Sequence, residues 1–161
     1  MLLDLELLMS AESNPLLGTW KLISITATYP DGTSNSEAYG ENPRGYITYT
    51  DGGRMMVLFS TSDRKPFSRD ILTPLAVDLD LVSVEERAQA FSTFNAYAGT
   101  YTLNGNTVTH DIEVASIPNR VGKDLVRTFT VNGNQVTLKT QPIISNGTLT
   151  SLELVWERLE A

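Results

Sequence analysis

The sequence predicts an all-β domain: an eight-stranded antiparallel up-and-down barrel closed around an apolar cavity. Three observations predict it. Turn chemistry recurs at regular intervals, at Pro30-Asp31-Gly32, Asp51-Gly52-Gly53, Asn104-Gly105-Asn106, Asn132-Gly133-Asn134 and Ser145-Asn146-Gly147. Between the turns lie runs rich in Thr, Val, Ile, Tyr and Phe, which fit a half-buried pleated surface. Several of those runs alternate apolar and polar residues, the two-residue period of a strand with one wet face. A β-sandwich is the alternative arrangement of the same strands.

Strands are placed near 17–29, 43–50, 54–60, 97–103, 106–116, 124–131, 135–141 and 150–158. Asn-Gly and Asp-Gly tolerate positive φ and favour hairpins, so strands that follow one another in the chain pair as neighbours. One segment departs from this rhythm. Ser83-Val84-Glu85-Glu86 is a capping box, and it opens a short helix predicted over about 84–96, with Val84, Ala88, Phe91 and Asn95 along one face. Residues 61–82, with Pro66 and Pro74, form a long lid loop, since loops of this length inside a compact domain are usually functional or mobile. Residues 1–15 are set apart as an N-terminal extension with helical potential, and 16–161 as the barrel domain. Loop and helix are expected at one mouth of the barrel and the extension at the other.

Alternation assigns the inward side chains. In TVTHDIEV, Thr107, Thr109, Asp111 and Glu113 form the wet set, which turns Val108, His110, Ile112 and Val114 inward. His110 is the sole histidine. In LVRTFTV, Leu125, Arg127, Phe129 and Val131 share the inward face, and in YAGTYTL, Tyr97, Gly99, Tyr101 and Leu103 do. A two-residue turn centred on Asn104-Gly105 pairs Tyr101 with Val108 and Gly99 with His110, so that a glycine leaves space beside the imidazole. Arg127 then lies opposite His110 or one pair away. No inward carboxylate partners Arg127, because Asp111 and Glu113 face water, and a buried guanidinium without a partner is costly. A loop acid or an oxygen of a ligand must satisfy it. Tyr46, Tyr49, Met55 and Phe59 lie on strands apolar on both faces, so alternation does not choose their side. They join Phe91, Phe129, Leu138 and Leu154 as candidate ligand-lining residues.

Composition narrows the partners. The chain has 12 Lys+Arg against 19 Asp+Glu, a net charge of -7, which disfavours nucleic acid and anionic membrane surfaces. It has no cysteine, which removes disulfides, thiolate nucleophiles and zinc–thiolate sites, and a single histidine makes a metal site poor chemistry. No phosphate-cradling loop, nucleophile elbow or inward carboxylate pair is visible, and no cofactor is implied. Asp4 and Glu6 interrupt the apolar N-terminus and no basic region precedes it, so it does not resemble a signal peptide. No run suits membrane insertion. An intracellular, cytoplasmic protein is expected, with a homodimer left open. Asn146-Gly147-Thr148 is taken as a turn rather than a glycosylation acceptor.

Four segments carry a family resemblance: LLGTWKLIS at 16–24, GENPRGYITYTDGGRMMV at 40–57, AYAGTYTLNGNTVTHDIEVASIPNRVG at 96–122 and LVWERL at 154–159. In this combination and order the chain resembles the lipocalin-like domain family of small one-domain barrels. The resemblance implies a lipocalin-like barrel that binds small hydrophobic molecules, with Trp20 and Arg158 packed as a structural closure at its floor. Some lipocalin-like barrels act as cyclases or isomerases without a cofactor.

The leading expectation is therefore a cavity that binds a hydrophobic, oxygen-bearing small molecule and promotes cofactor-free cyclisation or isomerisation of a polyketide- or terpenoid-like intermediate. Shape would fold the substrate into a reactive conformer. Arg127 or a tyrosine, Tyr97 or Tyr101, would polarise a carbonyl, and His110 would move a proton. The alternative is a non-catalytic carrier or sequestering protein with the same cavity.

Overall fold

Glycines at positive φ set the turns, and the turns set the register. The computed structural model describes residues 13–145 and 147–160. The N-terminal extension expected over 1–15 lies, apart from 13–15, outside the described residues. The strands are β1 (Gly18–Thr28), β2 (Ser34–Asn35), β3 (Arg44–Tyr49), β4 (Arg54–Ser60), β5 (Phe94–Asn104), β6 (Thr107–Ala115), β7 (Asp124–Asn132), β8 (Gln135–Thr140), β9 (Ile143–Ser145) and β10 (Thr148–Glu160). One α-helix, α1 (Val84–Ser92), precedes β5. Antiparallel neighbours run β1-β3-β4-β5-β6-β7-β8-β10, and β10 returns to pair with β1 from Thr19↔Glu160 to Thr28↔Ser151, closing an eight-stranded barrel. The short β2 and β9 extend the sheet beyond β1 and β10 at the open end.

The β5–β6 turn shows how register follows glycine. Asn104 pairs with Thr107, leaving Gly105-Asn106 as the loop, with Gly105 at φ 59 in the first loop position, as a type II′ hairpin requires. A turn centred on Asn104-Gly105 is thus corrected by one residue. That shift preserves every side chain's face but changes its partner: Tyr101 lies opposite His110, and Gly99 opposite Ile112 rather than His110. Gly99 therefore makes no room for the imidazole. A Cβ at that position would collide with the carbonyl oxygen of Asp111, where the pairing steps from Ala98↔Val114 to Gly99↔Ile112. The extra residue of this bulge, Glu113, resets the alternation. Val114, inward by simple alternation, is 62% exposed in consequence.

The helix is shorter than 84–96. Its capping box forms as the sequence implies, with Ser83 and Glu86 exchanging hydrogen bonds. It ends where the Thr93 hydroxyl donates back to the Gln89 carbonyl and Phe94 pairs with Ser60. Asn95 is consequently a buried strand residue of β5, not a helix-face residue. The loop 61–82 folds along α1: the Glu86 carboxylate accepts from the Ser68 backbone N–H and hydroxyl, and Arg64 donates to the Ala90 carbonyl.

One end of the barrel is packed shut. Trp20, Tyr49, Met55, Val108, Val136 and Trp156 fill it, and Leu16 plugs it from below. The Trp20 indole donates to the Leu16 carbonyl at 2.9 Å. The Arg158 guanidinium sits 4.0 Å over the Trp20 ring and donates to the carbonyls of Leu17 and Pro15. No helix among the described residues is long and apolar enough to cross a membrane.

Arg158→Met removes a cation–π contact and two charge-assisted hydrogen bonds. It is expected to cost about 2–4 kcal/mol. Urea titration should show a lower midpoint at an unchanged m-value, and a midpoint within error of wild type would show that the latch contributes nothing.

Candidate ligand-binding site

The packed floor leaves the other half of the barrel hollow. A cavity of about 590 Å³ opens at that end, within the roughly 300–1,000 Å³ typical of small-molecule sites. Its walls are largely apolar: Ile25, Ile47, Val57, Phe59, Leu138 and Leu154 line it, with Trp156 beneath. Phe91 and Ser92 of α1 and Tyr29 and Tyr39 after β1 edge the mouth. None of residues 61–82 reaches the cavity.

A polar strip crosses one wall, made by Asn95 and Tyr97 of β5, Arg120 of the β6–β7 connection, Arg127 of β7 and Thr140 of β8. Arg127 pairs with Val108 across to β6, one inward position from His110. Its guanidinium donates to the Val126 carbonyl at 2.9 Å. Arg120 enters from a 3₁₀ turn at Pro118–Arg120, donates to Asn95 Oδ1 at 2.8 Å and lies 5.5 Å over the Tyr97 ring. Burial lowers the Arg120 guanidinium from its ordinary pKa; Tyr97 opposes that shift and the charge of Arg127 adds to it. Among the described residues, the ion pairs are Arg54–Glu113, Arg87–Asp80 and Lys139–Glu153, so neither cavity arginine has a carboxylate partner.

His110 is fully buried below the cavity and does not line it. Its Nε2 hydrogen-bonds the Tyr49 hydroxyl at 2.8 Å, and its Nδ1 approaches the Tyr97 hydroxyl at 3.3 Å. A neutral imidazole has one N–H, so it donates to one tyrosine and accepts from the other. Burial, and secondarily the charge of Arg127, lowers its pKa to about 3, so the ring is neutral at physiological pH. Burial also holds the Tyr49 hydroxyl well above its ordinary value. These groups connect the packed floor to the cavity wall, with Tyr97 belonging to both.

Several candidate residues lie elsewhere. Tyr46 faces outward, 47% exposed, because Tyr49 pairs with Met55 and thereby fixes Ile47 and Tyr49 as the inward residues of β3. Tyr49, Met55 and Phe129 face inward but pack at the closed end rather than lining the cavity. Tyr101 does the same, its hydroxyl donating to the Thr50 carbonyl and accepting from Asn14 Nδ2, both at 2.7 Å. Of the twelve catalytic and lining candidates, Tyr97, Arg127, Phe59, Phe91, Leu138 and Leu154 line the cavity. Asn95 and Arg120 are additions. The phase of β5 already carried the signal for Asn95, which shares parity with Tyr97, whereas Arg120 sits in a turn with no alternation to orient it.

The histidine makes stability depend on pH with a definite sign. Below about 6.5 the unfolded chain binds a proton that the folded chain refuses until about 3. The stability from a neutral His110 is whole above pH 6.5 and is lost as pH falls toward 3, at up to about 1.4 kcal/mol per pH unit. His110→Gln keeps a hydrogen-bonding side chain without a titration in this range. Its urea midpoint should fall less than that of wild type between about pH 7 and pH 4. Parallel falls would show that the buried imidazole protonates freely.

No curated protein matches the chain. Among solved structures, it is similar to a lipocalin-like protein from Bacteroides uniformis, at 12% identity over 91% of this chain and 100% of that one, with a TM-score of 0.44. It is also similar to an uncharacterized protein from Bacteroides eggerthii, at 12% identity over 89% of this chain and 98% of that one, with a TM-score of 0.41. A family model described as a lipocalin-like domain matches residues 17–159, nearly the whole barrel from β1 to the end of β10. The chain belongs to the lipocalin-like domain family.

Proposed function

We propose that the protein binds a hydrophobic, oxygen-bearing small molecule in the barrel cavity. The observation that carries this is the cavity itself: about 590 Å³, open at one end, lined mostly by apolar side chains and crossed by a polar strip that holds two arginines. An apolar wall gains from excluding water over the whole body of a ligand, while a few placed donors fix its orientation. Arg127 and Arg120 are those donors, and Tyr97 joins the strip to the floor.

A second reading adds chemistry: cofactor-free cyclisation or isomerisation of a polyketide- or terpenoid-like intermediate. The enclosed chamber favours it by restricting a flexible substrate to reactive conformers. The guanidinium of Arg127 would stabilise charge developing on a carbonyl oxygen. His110 would act only through Tyr97, whose hydroxyl it holds, because the imidazole does not reach the cavity. On the outer face, Tyr46, Met56, Leu58 and Val114 are all exposed; Tyr46 pairs with Leu58, and Ala98 of β5 lies between Met56 and Val114. A contiguous apolar face of this kind supports a homodimer. Sedimentation velocity should then return a dimer mass, and a monomer at all concentrations would remove that assembly from the proposal.

Val57→Phe extends a wall residue into the hollow. Native mass spectrometry of freshly purified protein is expected to find a bound small molecule on wild type and to lose it on the variant, with far-UV circular dichroism unchanged. Equal occupancy of both proteins would mean the ligand sits elsewhere. Recovery of the molecule unaltered after incubation supports carriage, and its conversion to an isomer supports catalysis.

A further inference from the structure

The cavity has the opposite charge to the molecule. The chain carries a net charge of -7, yet two guanidiniums and no carboxylate line the hollow among the described residues. Two arginines elsewhere are well supplied with acceptors. Arg54 meets both oxygens of Glu113 at 2.8 Å, and Arg158 is held by two backbone carbonyls and an indole face. Arg120 and Arg127 have only one neutral oxygen each, Asn95 Oδ1 and the Val126 carbonyl. A guanidinium carries five N–H donors, so most of the donors on this strip have no protein acceptor. Two like charges on one half-buried wall also repel each other, and burial increases that cost.

Building on the proposed small-molecule site, we infer that Arg120 and Arg127 form an anion subsite, and that the ligand is an amphiphile bearing a carboxylate. Its acid group sits against the two guanidiniums, and its apolar body fills the hollow between Val57, Leu138 and Trp156. The carboxylate supplies the acceptors the two side chains lack and cancels their mutual repulsion. A neutral carbonyl supplies the first of these but not the second, which is why the pair selects an acid rather than a ketone or alcohol. Asn95 positions Arg120 through its Oδ1. The field from Arg127 that lowers the Arg120 pKa is consistent with the two charges sharing one space.

The test uses a neutral reporter and a matched pair of competitors. N-phenyl-1-naphthylamine, uncharged and fluorescent in apolar surroundings, is titrated into the full-length protein and then displaced by decanoate or by 1-decanol. Decanoate is expected to displace it roughly tenfold or more tightly than the alcohol, the worth of a charge-assisted hydrogen bond or more. In Arg120→Met and in Arg127→Met, which keep the apolar stem, decanoate should lose about tenfold or more while 1-decanol loses much less, so that the preference for the acid collapses. Thermal melting of each variant at or above the wild-type midpoint confirms that the loss is not unfolding. Equal displacement by acid and alcohol in wild type overturns the anion subsite while leaving the cavity reading intact. Failure of the reporter and both competitors to bind overturns the cavity reading itself. A loss in only one of the two variants overturns the paired grip and leaves a single-arginine contact.

Discussion

Everything above the floor depends on the meeting of the first strand with the last. A sheet of eight strands acquires an interior only when β1 and β10 pair, and here that pairing runs along nearly the whole of β1. The Arg158–Trp20 contact fastens it at the closed end, tying β10 both to the indole of β1 and to the carbonyls of the segment leading into it. The guanidinium suits this place because its flat face stacks while its edge donates. Closure also brings Trp156 and Leu154 across from Leu22 and Ile25, which makes the seam part of the hydrophobic core.

Above that latch the interior divides into two zones with opposite demands. The lower zone is packed, and Tyr49, Tyr101 and His110 each find hydrogen-bond partners there. The upper zone is hollow and carries side chains short of acceptors. Tyr97 belongs to both, its ring on the cavity wall and its hydroxyl toward the buried histidine. A rigid lower half keeps the wall in place while the upper half accepts a guest, the division expected of a site built on a firm scaffold.

Much of this was legible in the sequence, and what was not has a physical cause. Clean alternation in β6 and β7 gave the inward face of His110 and Arg127, because Thr, Asp and Glu marked the wet side. In β3 and β4 the polar markers are sparse, Arg44 and Thr48 on one and Arg54 and Ser60 on the other, and Tyr46, Met56 and Leu58 are apolar yet outward, so the alternation is masked there. Parity also says nothing about height along the barrel axis. His110, Tyr101, Met55 and Phe129 are inward, as parity or strand pairing requires, but whether an inward residue meets floor or cavity depends on strand tilt and register. That register turned on which residue of Asn104-Gly105-Asn106 opens the loop and on a one-residue bulge opposite Gly99. Arg120 had no signal of its own, because a turn carries no repeating face.

The short strands β2 and β9 have a consequence for the behaviour of the chain in a crowded solution. Runs of Thr, Val, Ile and Tyr are also the residues that seed intermolecular sheets, and an open edge would offer them a template. Closure removes both edges of the eight main strands. Among the described residues, the outermost strands in the sheet order are β2, two residues long, and β9, three. Neither is long enough to register a foreign strand, so a sequence this rich in strand-forming residues folds with most of its pairing capacity consumed within the barrel.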